Sequence, residues 1–431
     1  MTGTLPRIAI IGAGPAGLML ASILHHNEIP STVFERDSSA VARAQGGSLD
    51  IHGYSGQQAL RAAGLLNAFR AAMRPSGEAM KLMKQDGTIL FEASGKQEDE
   101  STEKNSEKQF PETADELVKG RPEIDRSVLK DILIASLPDD TVRWGSKVAA
   151  VVPIEGSKRW TVELEHGPHP EPFDLVVGAD GGWSRTRALL TKQQPIYSGI
   201  TALDVWLRNV DEVAPDVSAF VGLGNCFIFA KDHAMLFQRN GTDTVSDARC
   251  YACVKTDPQA TLGGRALLGL TGDEGDVDWT DAATRERFVE KYFADWFDEA
   301  KRIFLKMAEE TTLRPLYMLP VGFTWDSQPG VTLVGDAAHL MTPFAGVGVN
   351  VALMDSLELA QGIIGCVNTN KANGDSLAAM LKDYEKGMFA RSSKEAAKTN
   401  ASLQLRFEED GAERMAEIMA NASQPEDIRF E

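Results

Sequence analysis

The sequence predicts an α/β fold, with one domain built on a parallel βαβ unit, a second domain with a mixed sheet, and a long helix at the end of the chain. A β-branched run at residues 7–12, a helical pattern at residues 15–26 and a second β run at residues 31–35 form one βαβ unit of about 30 residues. Short β runs and a helix-rich stretch share residues 193–319. Residues 375–422 have the spacing of a long, charged helix.

Other elements follow from hydrophobic periodicity. Helices are predicted at residues 56–74, 125–137, 288–307 and 346–364, and strands at residues 142–152, 160–164, 175–179, 218–230, 235–239, 249–254 and 332–335. Residues 95–120 are charged and poor in large apolar side chains, which predicts a mobile surface segment.

Composition excludes several classes of function. The 431 residues include 62 acidic and 44 basic side chains, a net charge of −18. Such a charge repels phosphates, so we expect neither nucleic acid nor an anionic membrane as the main partner. Four cysteines are too few for a disulfide scaffold, and no apolar run reaches the ~18 residues that a membrane-spanning helix needs. We therefore expect a soluble, cytoplasmic protein.

Residues 12–17 read Gly-Ala-Gly-Pro-Ala-Gly and lie between the first strand and the first helix. Gly12 permits the tight turn, Gly14 lets a pyrophosphate approach the backbone, and Gly17 lets helix and strand pack closely. The helix amino terminus adds unpaired N–H groups and positive potential. Glu35 ends the second strand and would accept hydrogen bonds from ribose hydroxyls, which favours FAD or NAD over NADP at this site. The motif does not separate FAD from NAD.

A second glycine-rich region lies far downstream, with Gly-Asp-Ala-Ala-His at residues 335–339 and Pro-Phe-Ala-Gly-Val-Gly-Val-Asn at residues 343–350. Asp336, at the end of a strand, can hold the ribityl hydroxyls of a flavin, and the helix that follows can face the pyrimidine edge of the ring. NAD needs no such site. The alternative is an aspartate that caps a helix behind a flexible loop. Residues 178–187 add a third strand-to-turn motif with D-G-x-x-S-x-x-R spacing.

In this order the three motifs resemble the class A FAD-dependent aromatic hydroxylases, the group typified by para-hydroxybenzoate hydroxylase. Gly-Gly-Ser-Leu-Asp-Ile-His at residues 46–52 and the loop at residues 335–350 look closest to the tetracycline-inactivating flavin monooxygenases, and the resemblance covers most of the chain. It implies a Rossmann-like FAD-binding domain formed by residues 1–82, 121–192 and 325–372. The remaining segments would be a mobile surface insertion at 83–120, a substrate-binding domain at 193–324 and a helical segment at 373–431 that bridges the two domains.

The resemblance also implies which residues hold FAD. Those outside the glycine-rich loops are Glu35 and Arg36 at the adenosine end, Arg43 and Asp50 on the flavin side near the nicotinamide approach, and Arg126 and Val148 at the flank of the cofactor. Those within the loops are Gly12, Gly14, Pro15, Ala16, Gly17, Asp336, Pro343, Gly346, Val347, Gly348, Val349 and Asn350. His52 is expected near the flavin ring.

The implied reaction is a hydroxylation whose chemistry belongs to the cofactor. NADPH or NADH reduces the flavin, O2 forms a C4a-hydroperoxide, and the distal oxygen attacks an aromatic or polyketide-like substrate. No catalytic side chain and no metal are expected, since the chain has no G-x-S-x-G or H-E-x-x-H motif. Tetracycline-type antibiotics are candidate substrates, which would make the protein a resistance enzyme. We expect the protein to be a monomer. An FAD oxidase or dehydrogenase on the same fold, or a flavoprotein that only sequesters its small-molecule ligand, stays open.

Substrate residues are expected on the strands of the middle domain and near the cofactor. The set is Ala202, Cys226, Phe237, Arg249, Phe344 and Met388, with Phe227, Phe229 and Met235 as further candidates. Ala202 and Cys226 align where the tetracycline-acting members carry a glutamine and an arginine, and Arg249 falls near their histidine. We therefore expect a different polycyclic phenol or polyketide, or tetracycline held weakly. Cys250 and Cys253 form a single C-x-x-C, for which packing is favoured over zinc.

Overall fold

The structure, a computed structural model, describes residues 5–42, 46–94, 116–169, 171–242, 245–257, 263–270, 277–370 and 372–421. The first half of these residues forms β1 (Ile8–Ile11), α1 (Pro15–His26), β2 (Ser31–Phe34), β3 (Ser48–Asp50), α2 (Gly56–Ala62), α3 (Leu66–Ala72), β4 (Met80–Lys84), β5 (Ile89–Ala93), β6 (Glu123–Asp125), α4 (Arg126–Ala135), β7 (Val142–Arg143), β8 (Val148–Pro153), β9 (Trp160–Leu164), β10 (Gly167–Pro168), β11 (Leu175–Gly178) and β12 (Ile196–Leu207). The second half forms α5 (Val210–Val213), α6 (Pro215–Val221), β13 (Asn225–Ala230), β14 (His233–Thr242), β15 (Val245–Lys255), α7 (Gly264–Leu268), α8 (Ala282–Tyr292), α9 (Asp298–Lys306), β16 (Glu310–Met318), β17 (Val331–Leu333), α10 (Asp336–His339), α11 (Gly348–Asn368), α12 (Gly374–Arg406) and α13 (Gly411–Asn421).

A five-stranded parallel sheet in the order β17-β11-β1-β2-β7 carries both glycine-rich loops. Its strands are buried because layers cover both faces. On one face, α1, α4, α11 and α12 supply the side chains of one large hydrophobic cluster. On the other face, β8 and β9 of a small three-stranded sheet pack through Val148, Val151 and Val162. The loops that follow β1 and β17 therefore meet at the carboxyl edge of the sheet, where ligands bind in such folds.

The second sheet has seven strands in the order β16-β12-β15-β14-β13-β4-β5. All its pairs are antiparallel except β13 with β4. Side chains alternate between its two faces, as strand geometry requires. One face packs against helices α5 to α9, and we call it the helix-covered face. The opposite face packs against Phe344 of the cofactor loop and against side chains of α12 and α13, and we call it the loop-facing side.

This sheet corrects the domain boundary at residue 82 and the insertion at 83–120. The strand β4 pairs with β13 and β5 pairs with β4, so both extend the substrate-domain sheet, although more than 100 residues separate β5 from β13. Much of the segment expected to be mobile, residues 95–115, lies outside the described residues.

Two helix predictions also differ from the structure. The pattern at residues 56–74 gives two helices, α2 and α3, because Gly64 takes a φ of +72° just after α2 and ends that helix. The β run predicted at 218–230 begins as helix α6, which starts at Pro215 and ends before Gly222 with a φ of +76°. Proline in the first turn favours a helix start, and glycine accepts the left-handed region at its end.

The long helix α12 joins the two domains, as predicted. In its first half, the Tyr384 hydroxyl donates to the carbonyl oxygen of Leu333 over 3.0 Å, beside the parallel sheet. Near its end, the Ser402 hydroxyl donates to the carbonyl oxygen of Phe344 over 2.7 Å. The helix thus holds the cofactor loop against the second sheet. Among the described residues, no helix combines the length and apolar character that crossing a bilayer requires.

Candidate flavin and substrate site

The first glycine turn has the close packing that its motif predicts. Gly12 has a φ of +109°, and a Cβ there would lie 2.4 Å from the carbonyl oxygen of Ala179. A Cβ on Gly17 would lie 2.1 Å from the carbonyl oxygen of Gly12, so no larger residue fits. A Cβ on Gly14 would have no neighbour within 4 Å. Gly12 and Gly17 therefore shape the turn, while Gly14 borders open space at the amino terminus of α1.

Glu35 lies under this turn and is 9% exposed. The backbone N–H of Ala13 donates to its Oε2 over 2.7 Å, and the N–H of Asp37 donates to its Oε1 over 2.9 Å. Each carboxylate oxygen can accept a further hydrogen bond, so the group stays competent to bind a ribose hydroxyl. Arg36 is exposed next to it, and Arg43 lies outside the described residues.

Two predicted flank residues lie on other elements. The carbonyl oxygen of Val148 accepts a hydrogen bond from Arg185 over 3.2 Å. Arg126 begins α4, and its backbone N–H donates to the carbonyl oxygen of Gly47 over 2.9 Å. The guanidinium of Arg126 makes no hydrogen bond to any described residue.

The Asp336 loop reaches the first turn across the fold. A Cβ on Gly335, which has a φ of +62°, would lie 3.2 Å from the Cβ of Ala16. Asp336 is the first residue of α10 and exposed, whereas its neighbours on both sides are buried. Its carboxylate makes no hydrogen bond to the described residues, so the alternative of a helix-capping aspartate is not what the structure contains. The group faces outward at the junction of the two loops.

Buried ionic contacts hold this loop in place. Asp355 of α11 accepts hydrogen bonds from the N–H of Gly335 over 2.9 Å, from His339 over 2.5 Å and from Arg391 over 2.8 Å. Burial by itself would lower the pKa of His339, but the charge and hydrogen bond of Asp355 outweigh it, and the pKa is raised. Burial by itself would raise the pKa of Asp355, but His339 and Arg391 lower it below the ordinary value. His339 is therefore a structural ion-pair partner.

The third motif braces the same loop. Asp180 accepts hydrogen bonds from the Ser184 hydroxyl over 2.5 Å and from the N–H of Arg185 over 2.8 Å, which closes the turn. The buried guanidinium of Arg187 then donates to the carbonyl oxygen of Ala337 over 3.0 Å. This motif supports the Asp336 loop from behind.

The loop at residues 343–350 lies beside the 46–52 segment. Pro343 and Gly346 are exposed, Val347 is buried, Gly348 and Val349 start α11, and a Cβ on Gly348 would meet no atom within 4 Å. Asn350 is buried: its Oδ1 accepts from the N–H of His52 and its Nδ2 donates to the carbonyl oxygen of Asp50, both over 2.8 Å. The Asp50 carboxylate faces the loop, 3.7 Å from where a Cβ on Gly346 would lie. Asn350 thus pins two chain segments together.

The predicted substrate residues separate into two groups. Ala202, Phe229 and Phe344 belong to the cluster on the loop-facing side, with Phe227 packed against it. Arg249 shares this side, since it lies two residues from Tyr251 on β15. Cys226, Phe237 and Met235 lie on the helix-covered face, and Met388 lies in the cluster of the nucleotide domain; all four are fully buried. These four are corrections, because strand parity and helix packing turn them away from the loop.

Arg249 is held by the protein itself. Its Nε and Nη2 donate to Asp204 over 2.8 and 2.7 Å, and its guanidinium lies over the rings of Trp206 and Tyr251 at 4.6 and 4.2 Å. Arg314, on the neighbouring strand β16, donates through Nε to the same carboxylate over 2.5 Å and is half exposed.

Arg314 and Tyr251 are the residues that the sequence reasoning missed. Burial, with the charge of Asp204, raises the pKa of Tyr251 above its ordinary value, against the guanidinium groups of Arg249, Arg314 and Arg126, so all three positive charges act at this phenol. The Tyr251 hydroxyl and the outer nitrogens of Arg314 make no hydrogen bond to described residues. Two-residue alternation from Ala202 and Arg249 could have indicated Asp204 and Tyr251, but Arg314 required knowledge of the strand order.

The C-x-x-C cysteines pack on opposite sides of the sheet. Cys250 lies in the helix-covered cluster and Cys253 in the loop-facing one, and burial raises the pKa of both thiols. Within the described part of the chain, no cluster of His, Cys, Asp or Glu could hold a metal ion.

Comparison with known proteins decides the family. A model described as FAD binding domain matches residues 6–394. Monooxygenase penA of Penicillium thymicola is 32% identical in an alignment 447 positions long, which covers 96% of this chain and 98% of penA. The chain belongs to the class A FAD-dependent monooxygenases.

Solved structures of flavin monooxygenases share this fold. HpxO of Klebsiella pneumoniae, in complex with FAD and uric acid, superposes with a TM-score of 0.69 at 17% identity and covers 98% of this chain and 94% of its own. The tetracycline destructase Tet(51) superposes with a TM-score of 0.63 at 19% identity and covers 96% of this chain and 95% of its own. The TM-scores establish the shared architecture, and identities this low leave the substrate of this monooxygenase open.

Proposed function

We propose that this monooxygenase uses NADPH or NADH and O2 to hydroxylate an aromatic or polyketide-like substrate that carries an acidic or phenolic oxygen. One observation carries the proposal: an exposed carboxylate, Asp336, lies where two glycine loops meet, and the loop that follows it packs through Phe344 on a sheet side that carries aromatic rings and surplus positive charge.

The residues present fit FAD. Open space at Gly14 would accept the pyrophosphate, and the uncapped amino terminus of α1 supplies N–H donors for it. Glu35 would hold the adenosine ribose, and Asp336 would hold the ribityl hydroxyls. Open space at Gly348 leaves the amino terminus of α11 accessible to the pyrimidine edge of the ring. When bound, the flavin supplies both the acceptor for hydride from the nicotinamide and the activation of O2.

The loop-facing side would orient the substrate. Asp204 neutralises one of the guanidinium groups of Arg249 and Arg314, and Arg126 adds another positive charge near Tyr251. This corner therefore carries net positive charge in a chain whose overall charge is −18. The outer nitrogens of Arg314 and the hydroxyl of Tyr251 would bind an anionic or phenolic oxygen. Phe229 and Phe344 would exclude water from the ring system.

Purified protein tests the proposal in two stages. It should be yellow, and Asp336→Ala should lose flavin, whereas the matched exposed variant Asp326→Ala should retain it. Oxidation of NADPH or NADH should accelerate with phenolic, polyketide or tetracycline ligands, and the product should gain one oxygen by mass. Ligand-stimulated peroxide release without oxygen insertion would instead indicate an oxidase, and absence of turnover would indicate a sequestering protein. Normal flavin content in Asp336→Ala would overturn the role of this carboxylate.

A further inference from the structure

A chain of hydrogen bonds runs from the cofactor loop to the protein surface through one buried histidine. The Nε2 of His52 lies 2.9 Å from Oδ2 of Asp50, and its Nδ1 lies 2.9 Å from the hydroxyl oxygen of Tyr54. His52 is 0% exposed, whereas Tyr54 is 54% exposed. The imidazole therefore separates a carboxylate beside the loop from a phenol on the outside.

Other hydrogen bonds hold the backbone around His52 independently of its contacts with Asp50 and Tyr54. The N–H of His52 donates to Asn350, and its carbonyl oxygen accepts from the N–H of Gln57 over 3.0 Å. The backbone of His52 is thus held without Tyr54, and Nε2 keeps its contact with Asp50. The Tyr54 hydroxyl adds a contact at the ring nitrogen that points away from Asp50.

Asp50 is the inner end of the chain. Its carboxylate lies 3.7 Å from where a Cβ on Gly346 would be, so it borders the loop assigned above to the flavin ring. Arg121 approaches it to 3.6 Å, and Glu123 lies directly opposite on the paired strand β6. Together with His52, Arg121 and Glu123 are the titratable groups that interact electrostatically with Asp50.

The charge state of Asp50 suits proton exchange with His52. Burial would raise the pKa of Asp50, but the hydrogen bond and charge of His52 and the charge of Arg121 lower it below the ordinary value. Burial, and then the charge of Asp50, raise the pKa of Glu123 to about 7, against the hydrogen bond from Ser48. Asp50 is therefore an anion near neutral pH. An anionic Asp50 accepts Nε2–H of His52, which leaves Nδ1 to accept the Tyr54 hydroxyl proton.

We propose that His52 is a positioning residue that carries protons between solvent and the flavin-side carboxylate Asp50, with Tyr54 as the outer end of the path. The use of the proton rests on the function proposed above, whereas the path itself is a property of the protein alone.

The transfer balances in protons and charge. A solvent proton adds to the oxygen of Tyr54 as the hydroxyl proton moves to Nδ1 of His52, and the proton on Nε2 moves to Asp50. Tyr54 and His52 end neutral, with His52 in its other tautomer, and Asp50 ends protonated. A proton that leaves the site takes the reverse steps and restores the first tautomer, so uptake and release alternate over one cycle.

The test follows the imidazole by NMR in full-length protein labelled with ¹⁵N-histidine. In the resting protein, the proton of His52 should reside on Nε2, and its exchange with solvent should be faster than burial alone allows. Tyr54→Phe, which keeps the ring but removes the hydroxyl, should slow that exchange by at least about tenfold. The control Tyr292→Phe loses a hydroxyl that bonds the carbonyl oxygen of Leu267, on the helix-covered face, and should leave the exchange unchanged.

Activity assays separate the path from the reaction. If the holoenzyme oxidises a substrate, Tyr54→Phe should enlarge the solvent deuterium isotope effect, and small buffer acids should rescue the rate. If no substrate is oxidised but the exchange slows in Tyr54→Phe, the proposed function fails and the path stands. Equal exchange rates in wild type and Tyr54→Phe, or a resting proton on Nδ1, would overturn the path whatever the activity.

Discussion

The hydroxyl of Ser356 donates a 2.8 Å hydrogen bond to the carbonyl oxygen of Ala16, which lies 340 residues earlier in the chain. Both residues are buried, and the bond joins the helix after the second glycine loop to the helix after the first. The two ends of the flavin site are therefore positioned by a direct contact between α1 and α11.

Ser356→Ala should lower the free energy of unfolding of the apoprotein by about 1 kcal/mol, because one buried hydrogen bond is lost without leaving a charge. Urea denaturation measures this loss as a shift of the midpoint at constant slope. Thr369→Ala removes a comparable bond from the exposed end of α11 and should cost less. A midpoint for Ser356→Ala that matches wild type would show that the contact does not stabilise the fold.

The first glycine turn predicts opposite results for two neighbouring substitutions. Gly17→Ala places a methyl group against the carbonyl oxygen of Gly12 and should lower the free energy of unfolding by roughly 1–3 kcal/mol. The variant should also lose bound flavin. Gly14→Ala adds a methyl group in open space, so stability should fall by less than about 1 kcal/mol. Flavin affinity should nevertheless fall, because the pyrophosphate needs that space. Unfolding midpoints and flavin titration measure both, and equal flavin affinity for Gly14→Ala and wild type would contradict this placement.

The pair of His339 and Asp355 predicts a stability that depends on pH. The folded-state pKa of His339 is raised above its ordinary value of 6.5, so the stabilisation is complete below that value and is lost as pH rises through the folded pKa. The pKa of Asp355 is lowered, so its contribution is lost only in acid. His339→Gln should therefore lose more unfolding free energy at about pH 5.5 than at about pH 9. An equal loss of unfolding free energy at both pH values would show that the ion pair of His339 and Asp355 does not stabilise the fold.

Arg314→Gln should raise KM for an anionic or phenolic substrate about tenfold with a smaller change in kcat, because one charge-assisted hydrogen bond is removed. The matched control is Arg208→Gln, since Arg208 lies over Trp206 but its charge is paired with Asp247 and Glu310. Steady-state kinetics with both variants measure the effect. A rise in KM of the same size for Arg208→Gln would contradict a specific role for Arg314.

Part of the site could be predicted from sequence because its geometry is local. The spacing of Gly12, Gly14 and Gly17 defines a single turn, and Glu35 follows at the end of the next strand, so the βαβ unit and its loop were confirmed at nearly the expected bounds. The place of Asp336 after a strand and before a glycine-rich loop and a helix also followed from the sequence, whereas its role at the ribityl hydroxyls stays a prediction.

Substrate contacts could not be predicted in the same way, because they depend on which strands pair and in which register. Phe229 and Phe237 have the same side chain, yet one packs on the loop-facing side and the other on the helix-covered face. Arg249 has its charge satisfied by Asp204 across a strand pair, while Arg314, from a strand more than 60 residues later, has outer nitrogens that bond to none of the described residues. A shift by one residue exchanges the two faces of a strand.

Short-range backbone geometry, set by glycines, a proline and β-branched runs, determined the nucleotide-binding half of this protein from the sequence alone. Tertiary structure alone decided the substrate side, the joining of β4 and β5 to the second sheet, and the contact of Asn350 with the backbone of His52. Each of these depends on contacts between segments far apart in the chain, and local propensity carries no information about such pairings.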